Sequence, residues 1–114
     1  MKHYNQLPRV AFSILLALSL KQRHGYEIIK QIEADSNGKV QVGPGALYTS
    51  IKQLLKQGLI VEVANDKEPK RRYYKLSENG HKVLSEELEY YENAVNLARQ
   101  RNALHNAKPN FRTI

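Results

Sequence analysis

The segment from Gly43 to Leu76 constrains the fold most, because a helical pattern in it leads directly into a two-stranded pattern. It reads GPGALYTSIKQLLKQGLIVEV, then NDKEPK, then RRYYKL. Proline suits the first turn of a helix, where the N–H that it lacks would have no intrahelical partner. The apolar residues that follow recur at helical spacing, at Leu47, Ile51, Leu54 and Leu55. We therefore predict a helix that begins after Gly43 and ends at Gly58, with a polar opposite face.

The second half of this segment predicts a β-hairpin. Two β-rich runs, Leu59–Ala64 and Arg71–Leu76, flank a loop over residues 65–70 that has turn residues at both ends. If Leu76 points into the core, alternation along the strand also sends Tyr74 inward. The outward side chains are then expected to be Arg71, Tyr73 and Lys75. Residues 66–75 carry five basic and two acidic side chains, so a local positive charge lies beside the predicted helix.

The first predicted helix is apolar on most of its surface. Its main stripe repeats at steps of three and four residues, and Phe12, Leu16 and Leu20 widen it. The stripe consists of Leu7, Val10, Ala11, Ile14, Leu15 and Leu18. A membrane-spanning helix needs about 20 apolar residues, and the run Val10–Leu20 is shorter than that. No small-residue cleavage site follows it either. We expect a buried helix and no membrane partner.

The other elements complete the order helix, helix, short strand, helix, hairpin, helix. A second helix is predicted from Tyr26 to Ala34, and Asn37-Gly38 would end it because both residues tolerate left-handed backbone geometry. Val40–Val42 alternates as a short strand would. Ser77 is a good N-cap for a long last helix. This order is that of a winged helix-turn-helix domain, which is a mainly α fold with a small β hairpin (α+β).

The last predicted helix has two apolar stripes. The main one has the 4-3-4-3 spacing of a coiled-coil seam and consists of Leu84, Leu88, Tyr91, Val95 and Ala98. Beside it lies a second stripe of Tyr90, Ala94 and Leu97. A domain of this size has little core left to cover both stripes, so we predict that they form a homodimer interface. The alternative is that the helix packs back onto its own domain.

The overall charge favours a polyanionic partner. Eighteen Lys and Arg residues against eleven Asp and Glu give a formal net charge of +7 and a pI near 9.7. Such a balance is typical of proteins that bind nucleic acid or an anionic membrane surface. The basic residues concentrate in the hairpin, whereas residues 76–114 carry five of each sign. The chain has no cysteine, which suits a reducing compartment, and we expect a cytoplasmic protein.

Metal binding, cofactor binding and catalysis are not expected. The four histidines are scattered along the chain as His3, His24, His81 and His105, without the spacing that zinc sites need. The chain has no phosphate-binding glycine loop with its lysine, no nucleophile elbow and no HExxH motif. We therefore predict that the protein is not an enzyme.

Four sequence fragments carry a family resemblance. They are His24-Gly25-Tyr26, then Gly43-Pro44-Gly45-Ala46-Leu47-Tyr48, then Gly58-Leu59-Ile60, then the stretch RRYYKLSENG over residues 71–80. In this order and at these separations they resemble the PadR family of bacterial transcriptional regulators, from about Leu7 to Leu88. The chain departs from the family in having Gly43 and Ser77 where other side chains are usual. The resemblance implies a homodimeric DNA-binding repressor, often relieved by a small molecule, in the branch with one trailing helix.

The candidate DNA contacts lie on the third helix and the hairpin. The groove-facing set is Thr49, Lys52, Gln53 and Lys56, and the family resemblance places Tyr48 near a phosphate. The backbone amides of Gly45 and Ala46 lie at a positive helix end that suits a phosphate. The hairpin contributes Lys70, Arg71, Arg72, Tyr73 and Lys75. The alternatives are that the helix face is merely solvated and that the hairpin cations protect exposed strand edges.

The expected organisation is a DNA-binding domain over residues 1–80, a dimerisation helix over 81–104 and a disordered tail over 105–114. The expected partner is double-stranded DNA with a pseudo-palindromic operator. A flat aromatic effector could lie in the dimer seam against Tyr90 and Tyr91, although the chain has no tryptophan to stack on it. The alternative function is a DNA-binding accessory or interaction module, such as a plasmid-partition or phage protein, without promoter control.

Overall fold

The computed structural model describes residues 6–104 and has four helices and three short strands. In chain order the elements are α1 (Arg9–Leu18), β1 (Arg23–His24), α2 (Gly25–Asp35), α3 (Pro44–Lys56), β2 (Ile60–Val63), β3 (Tyr73–Leu76) and α4 (Glu78–Gln100). The prediction of a mainly α fold with a small β-hairpin is confirmed. The predicted tail over residues 105–114 lies outside the described residues.

The ends of α2 and α3 follow from residues that accept left-handed backbone geometry. After α2, Asn37 and Gly38 have φ values of 55° and 81°, and the Gly38 N–H donates to the Glu33 carbonyl over 2.8 Å. After α3, Gly58 has a φ of 74°, and its N–H donates to the Leu55 carbonyl. Both turns pair carbonyls that the end of a helix leaves open, which stops each helix where the sequence predicted.

The three strands form one antiparallel sheet in the order β1-β3-β2. In the hairpin, Ile60 lies opposite Leu76 and Val63 lies opposite Tyr73. The strand predicted at Val40–Val42 is wrong, because the third strand is instead β1, in which Arg23 pairs with Tyr74. The order of elements therefore differs from the predicted one in the position of its first strand.

Burial explains the alternation of Val40–Val42 without a strand. Val42 is buried and Val40 is partly buried against the core, while Gln41 is exposed. The Val40 N–H donates to the Ser36 Oγ over 2.8 Å, so its hydrogen bond is made to a side chain. Two valines that pack inward produce the period of a strand even where no neighbouring strand lies beside them.

The core is formed by the inner faces of α1, α2 and α3 together with the hairpin. Its most deeply buried apolar side chains are Ile14, Leu15, Ile28, Ile32, Leu47, Leu54 and Ile60. Leu20, which was expected to widen the buried stripe of α1, is 69% exposed because the helix ends at Leu18 and the chain turns there. Leu55, which was expected in the apolar stripe of α3, is exposed, because it lies one residue beyond the inward-facing Leu54.

The start of α4 is fixed against the hairpin by Ser77. Its Oγ accepts the Gly80 N–H over 2.9 Å, which is the predicted N-cap, and its hydroxyl donates to the Gly58 carbonyl over 2.6 Å. A methyl group on Gly80 would overlap the carbonyl oxygen of Leu59, so the start of α4 lies close to the backbone just before β2. The hydrogen bonds satisfy the helix end, and the missing side chain at Gly80 permits the contact.

The chain divides into two compact units, one through Leu84 and one from Ser85. Leu84 is buried in the core of the first unit. Its assignment to the dimer interface is therefore wrong, because its side chain is already covered within its own domain. Within residues 6–104, no helix combines the length and the apolar character that a membrane span requires.

Candidate nucleic-acid interface

The outer face of α3 is polar, cationic and exposed. Leu47, Ile51 and Leu54 face the core, which fixes the rotation of the helix about its axis. The predicted contact residues on the opposite side are all exposed, namely Gly45, Ala46, Tyr48, Thr49, Lys52, Gln53 and Lys56. Gly43 is the N-cap in extended conformation, and Pro44 begins the helix. The exposed face therefore offers hydroxyl, amide and ammonium groups on a rigid helix.

The loop between β2 and β3, residues 64–72, is called the wing below and is held by its own hydrogen bonds. Asn65 Oδ1 accepts the N–H groups of Lys67 and Glu68 over 3.0 and 3.1 Å, as in an Asx turn. The Arg71 N–H donates to the Glu68 carbonyl over 3.0 Å. The exposed cations of the wing and the following strand are Lys67, Lys70, Arg71, Arg72 and Lys75. Positive charge thus lies on an ordered turn.

The outward direction predicted for Tyr73 is wrong. Tyr73 is only 8% exposed, and its ring lies edge-on to the His24 ring with centroids 5.2 Å apart. Its hydroxyl donates to Glu68 Oε1 over 2.7 Å. This hydrogen bond is the largest cause that raises the pKa of Tyr73 to about 12. Tyr74 is buried as predicted, and burial raises its pKa as well.

His24 connects the start of α2 to the wing. The Arg71 guanidinium donates from Nη1 to His24 Nε2 over 2.6 Å. The backbone N–H of His24 donates to Glu27 Oε1 over 3.2 Å, and the same carboxylate oxygen lies 3.7 Å from His24 Nε2. His24 is the N-cap of α2. Its contact with Arg71 was not predicted.

A surface cleft of about 330 Å³ lies between the start of α2, Tyr48 and the wing. It is lined by His24, Gly25, Tyr26, Tyr48, Lys70, Arg71 and Arg72. A methyl group on Gly25 would overlap the Tyr48 ring, so glycine allows this tyrosine to lie against α2. The first three of these residues form the fragment His24-Gly25-Tyr26, which contributed to the family resemblance. Nothing in its pattern showed that they meet the wing.

The second unit presents apolar side chains along α4. Tyr90 is 65% exposed and Val95 is 41% exposed, and Leu88 is exposed to a similar degree as Val95. The rings of Tyr90 and Tyr91 form an edge-to-face pair with centroids 5.6 Å apart. Ala94 is exposed as well, while Leu97 and Ala98 are half-buried. The predicted interface residues other than Leu84 thus lie on a helix surface that is at least partly open.

Glu87 on α4 is a buried carboxylate. It is 1% exposed and accepts a hydrogen bond from the Tyr91 hydroxyl over 3.1 Å. Glu86, Glu87 and Glu89 lie close together in the sequence, and the sequence does not reveal which of them turns inward. Among the residues that the structure describes, no group of three or more His, Cys, Asp or Glu side chains is placed to hold a metal ion.

A three-helix core, an exposed polar third helix and a basic β-hairpin beside it define a winged helix-turn-helix protein. Among solved structures, a transcriptional regulator from Clostridium thermocellum has this fold with a TM-score of 0.68 and 25% identity. The match covers 80% of this chain and 87% of that one.

Comparisons of sequence identify the family. The chain matches the family described as transcriptional regulator PadR-like over residues 14–86. It is 36% identical over 77 residues to an uncharacterized protein of Lysinibacillus sphaericus, a match that covers 65% of this chain and 71% of that protein. It is 35% identical over 79 residues to the transcriptional regulator YqjI of Escherichia coli K12, covering 69% of this chain but only 37% of that protein. The chain belongs to the PadR-like family of transcriptional regulators, whose members are not enzymes.

Proposed function

We propose that this protein is a homodimeric, sequence-specific DNA-binding regulator that represses transcription until a small-molecule effector releases it. The observation that carries the proposal is the exposed face of α3 beside the cationic wing. In this class of protein such a helix enters the major groove, while the hairpin lies against the flanking backbone. A protein that acts on chromosomal DNA in this way would work in the cytoplasm.

The proposal divides the contacts into two kinds. Lys52 and Gln53, with Thr49 and Lys56, project from the middle of α3 and would meet base edges in the major groove. Lys70, Arg71 and Arg72 would meet phosphates, which position the protein but carry little sequence information. Tyr48 and the amides of Gly45 and Ala46 would hold a phosphate near the start of α3. Tyr73 is omitted from the contacts because its side chain is buried.

The proposed dimer forms through α4. A helix that exposes Leu88, Tyr90 and Val95 leaves apolar surface in water, and burial of such a stripe against its symmetry mate removes that cost. The proposed seam consists of Leu88, Tyr91, Val95 and Ala98, with Tyr90, Ala94 and Leu97 beside it. Two subunits would present two copies of α3 to half-sites about one helical turn apart.

The proposed effector is a flat aromatic molecule bound in this seam. The edge-to-face pair of Tyr90 and Tyr91 supports it, since tyrosine rings offer both a stacking surface and a hydroxyl donor. The proposed effector site is tested by titrating candidate aromatic molecules into the protein. Tyrosine fluorescence reports their binding, and release of operator DNA reports their effect. Operator occupancy that no candidate changes would argue against effector relief while leaving DNA binding intact.

Selection of binding sites from random duplexes with the full chain tests the function as a whole. We expect enrichment of a pseudo-palindrome with half-sites centred about 10 base pairs apart. The double variant Lys52→Ala/Gln53→Ala is the matched control, because it keeps the wing and should enrich no motif. Binding without any enriched motif would instead favour an accessory protein that uses DNA as a scaffold.

A further inference from the structure

The cleft beside the wing is lined by three cationic side chains and by no carboxylate. Lys70, Arg71 and Arg72 line it, and both arginines lie near a single carboxylate each. Arg71 Nε is 3.6 Å from Glu68, and Arg72 Nε is 4.0 Å from Glu62. These pairs are largely exposed, so they hold the guanidinium groups weakly. An anion that enters the cleft can therefore compete for them.

The contact between Arg71 and His24 constrains where the histidine ring can carry a proton. A guanidinium group can only donate hydrogen bonds, so His24 Nε2 must supply the lone pair for the 2.6 Å contact. While this bond is made, Nε2 of His24 carries no proton. A protonated His24 would place an N–H against an N–H and two positive charges side by side. Protonation of His24 and its bond to Arg71 exclude each other.

The groups around His24 indicate which acceptor its ring can bond once the bond to Arg71 is broken. From α2, Glu27 Oε1 lies 3.7 Å from Nε2 and can accept from a protonated ring. The wing contributes Glu68, Lys70 and Arg72 in addition to Arg71, β3 contributes the Tyr73 ring, and α3 contributes the Tyr48 hydroxyl to the cleft wall. In β1, Arg23 turns away and donates to the Ala17 carbonyl over 3.0 Å. Glu27 is thus the nearest acceptor once Arg71 leaves.

We propose that the cleft binds one backbone phosphate of the DNA, that this phosphate takes over Arg71 from His24, and that His24 then binds a proton shared with Glu27. The inference rests on the proposed function, because it names a contact of the same DNA interface. It adds His24 and Tyr26 to that interface, the first as a proton-linked group and the second as a side chain that lines the cleft. The phosphate favours the proton on His24 because it adds negative charge and removes the competing guanidinium.

The linkage has a definite sign. DNA binding takes up protons, so affinity rises as the pH falls. One proton per subunit sets the limit at about a tenfold change in affinity per pH unit per subunit. His24→Gln keeps an acceptor for Arg71 but does not titrate, so it should lose this pH-dependent part of the DNA affinity.

The first experiment examines the free protein by ¹⁵N NMR of the histidine rings. We expect the Nδ1–H tautomer for His24, with Nε2 unprotonated, near neutral pH. Titration with inorganic phosphate, against chloride at equal ionic strength, should move the His24 signals toward the charged form and leave those of His81 unchanged. A His24 that carries its proton on Nε2, or that ignores phosphate, overturns the inference without involving DNA.

The second experiment measures duplex affinity by fluorescence anisotropy from about pH 8 to about pH 5.5. We expect wild type and the control His81→Gln to gain affinity as the pH falls, and His24→Gln to gain at least about threefold less. Arg71→Gln serves if His24→Gln does not fold, and it should also show the weaker dependence. Equal pH profiles for wild type and His24→Gln overturn the inference while DNA binding stands. Absence of binding by wild type to any duplex instead removes the proposed function and this contact with it.

Discussion

Single hydrogen bonds decide the geometry of the wing. The Tyr73 hydroxyl donates to Glu68, and Glu68 also faces Arg71, so one carboxylate ties the loop to its own strand. The hydrogen bond from Tyr73 is the largest cause that lowers the pKa of Glu68, and it raises that of Tyr73 to about 12. The bond needs an ionised carboxylate and a protonated phenol. It therefore operates in a bounded range of pH.

Tyr73→Phe removes this bond and should lower the free energy of unfolding at neutral pH. Glu68 has a lowered pKa, so its contribution is present above its ordinary value of 4.5 and is lost as the pH falls. Tyr73 has a raised pKa, so its contribution is present below 10 and is lost as the pH rises through about 12. Urea denaturation of both proteins across this range gives the difference. Tyr26→Phe is the control, and a Tyr73→Phe difference that does not change with pH contradicts the assignment.

Gly80→Ala tests the close approach of α4 to the hairpin. The added methyl would overlap the Leu59 carbonyl oxygen, so either backbone must shift. We expect a loss of about 1–3 kcal/mol in the free energy of unfolding, the usual cost of forcing atoms into a packed site. Gly45→Ala is the matched control, because a methyl group there meets nothing within 4 Å. It should be neutral or slightly stabilising, and equal losses for both variants would show that the contact with Leu59 is not the cause.

At the scale of elements, local patterns predict what local interactions determine. The apolar stripe of α3 and the turn residues of the wing each lie within one segment, so the helix, the hairpin and their exposed cations follow from the sequence. The strand β1 has only two residues, too few to show alternation, and its pairing with β3 depends on the tertiary fold. Tyr73 is buried for the same reason, since His24 of β1 lies on what would be the solvent side of a lone hairpin. The cleft also joins distant segments, so the sequence did not reveal it.

The separate roles proposed for α3 and the wing give a prediction about DNA affinity. Lys52→Ala should weaken binding to the selected operator by about 1–3 kcal/mol, with little effect on unrelated duplexes, if Lys52 meets a base edge. Lys70→Ala should weaken binding to all duplexes alike and reduce the slope of log affinity against log salt by about one unit. Gel shifts at several salt concentrations distinguish the two. Equal losses on operator and unrelated DNA for both variants would contradict separate roles.

At the scale of the whole molecule, the proposed arrangement of subunits depends on α4. Its 4-3-4-3 spacing continues through Leu84, but the structure assigns that residue to the core of the first unit. Spacing alone cannot locate the point at which a helix stops packing on its own domain. Packing on the domain and packing on a second subunit both require the same apolar face. Leu88 and Val95 are exposed, so the exposed part of the apolar stripe begins after Leu84. The proposed dimer therefore depends on the residues beyond it.

Val95→Asp tests the dimer directly. Val95 is 41% exposed in the single chain, so aspartate there should leave the fold of the first unit intact but put two like charges in a buried seam. We expect a monomer by sedimentation velocity and a loss of affinity for duplexes with two half-sites, with less effect on a single half-site. Asn93→Asp adds the same charge at the exposed outer position of the same heptad, and should remain a dimer with unchanged affinity. A Val95→Asp protein that stays dimeric and binds as wild type would mean that the subunits meet through another surface.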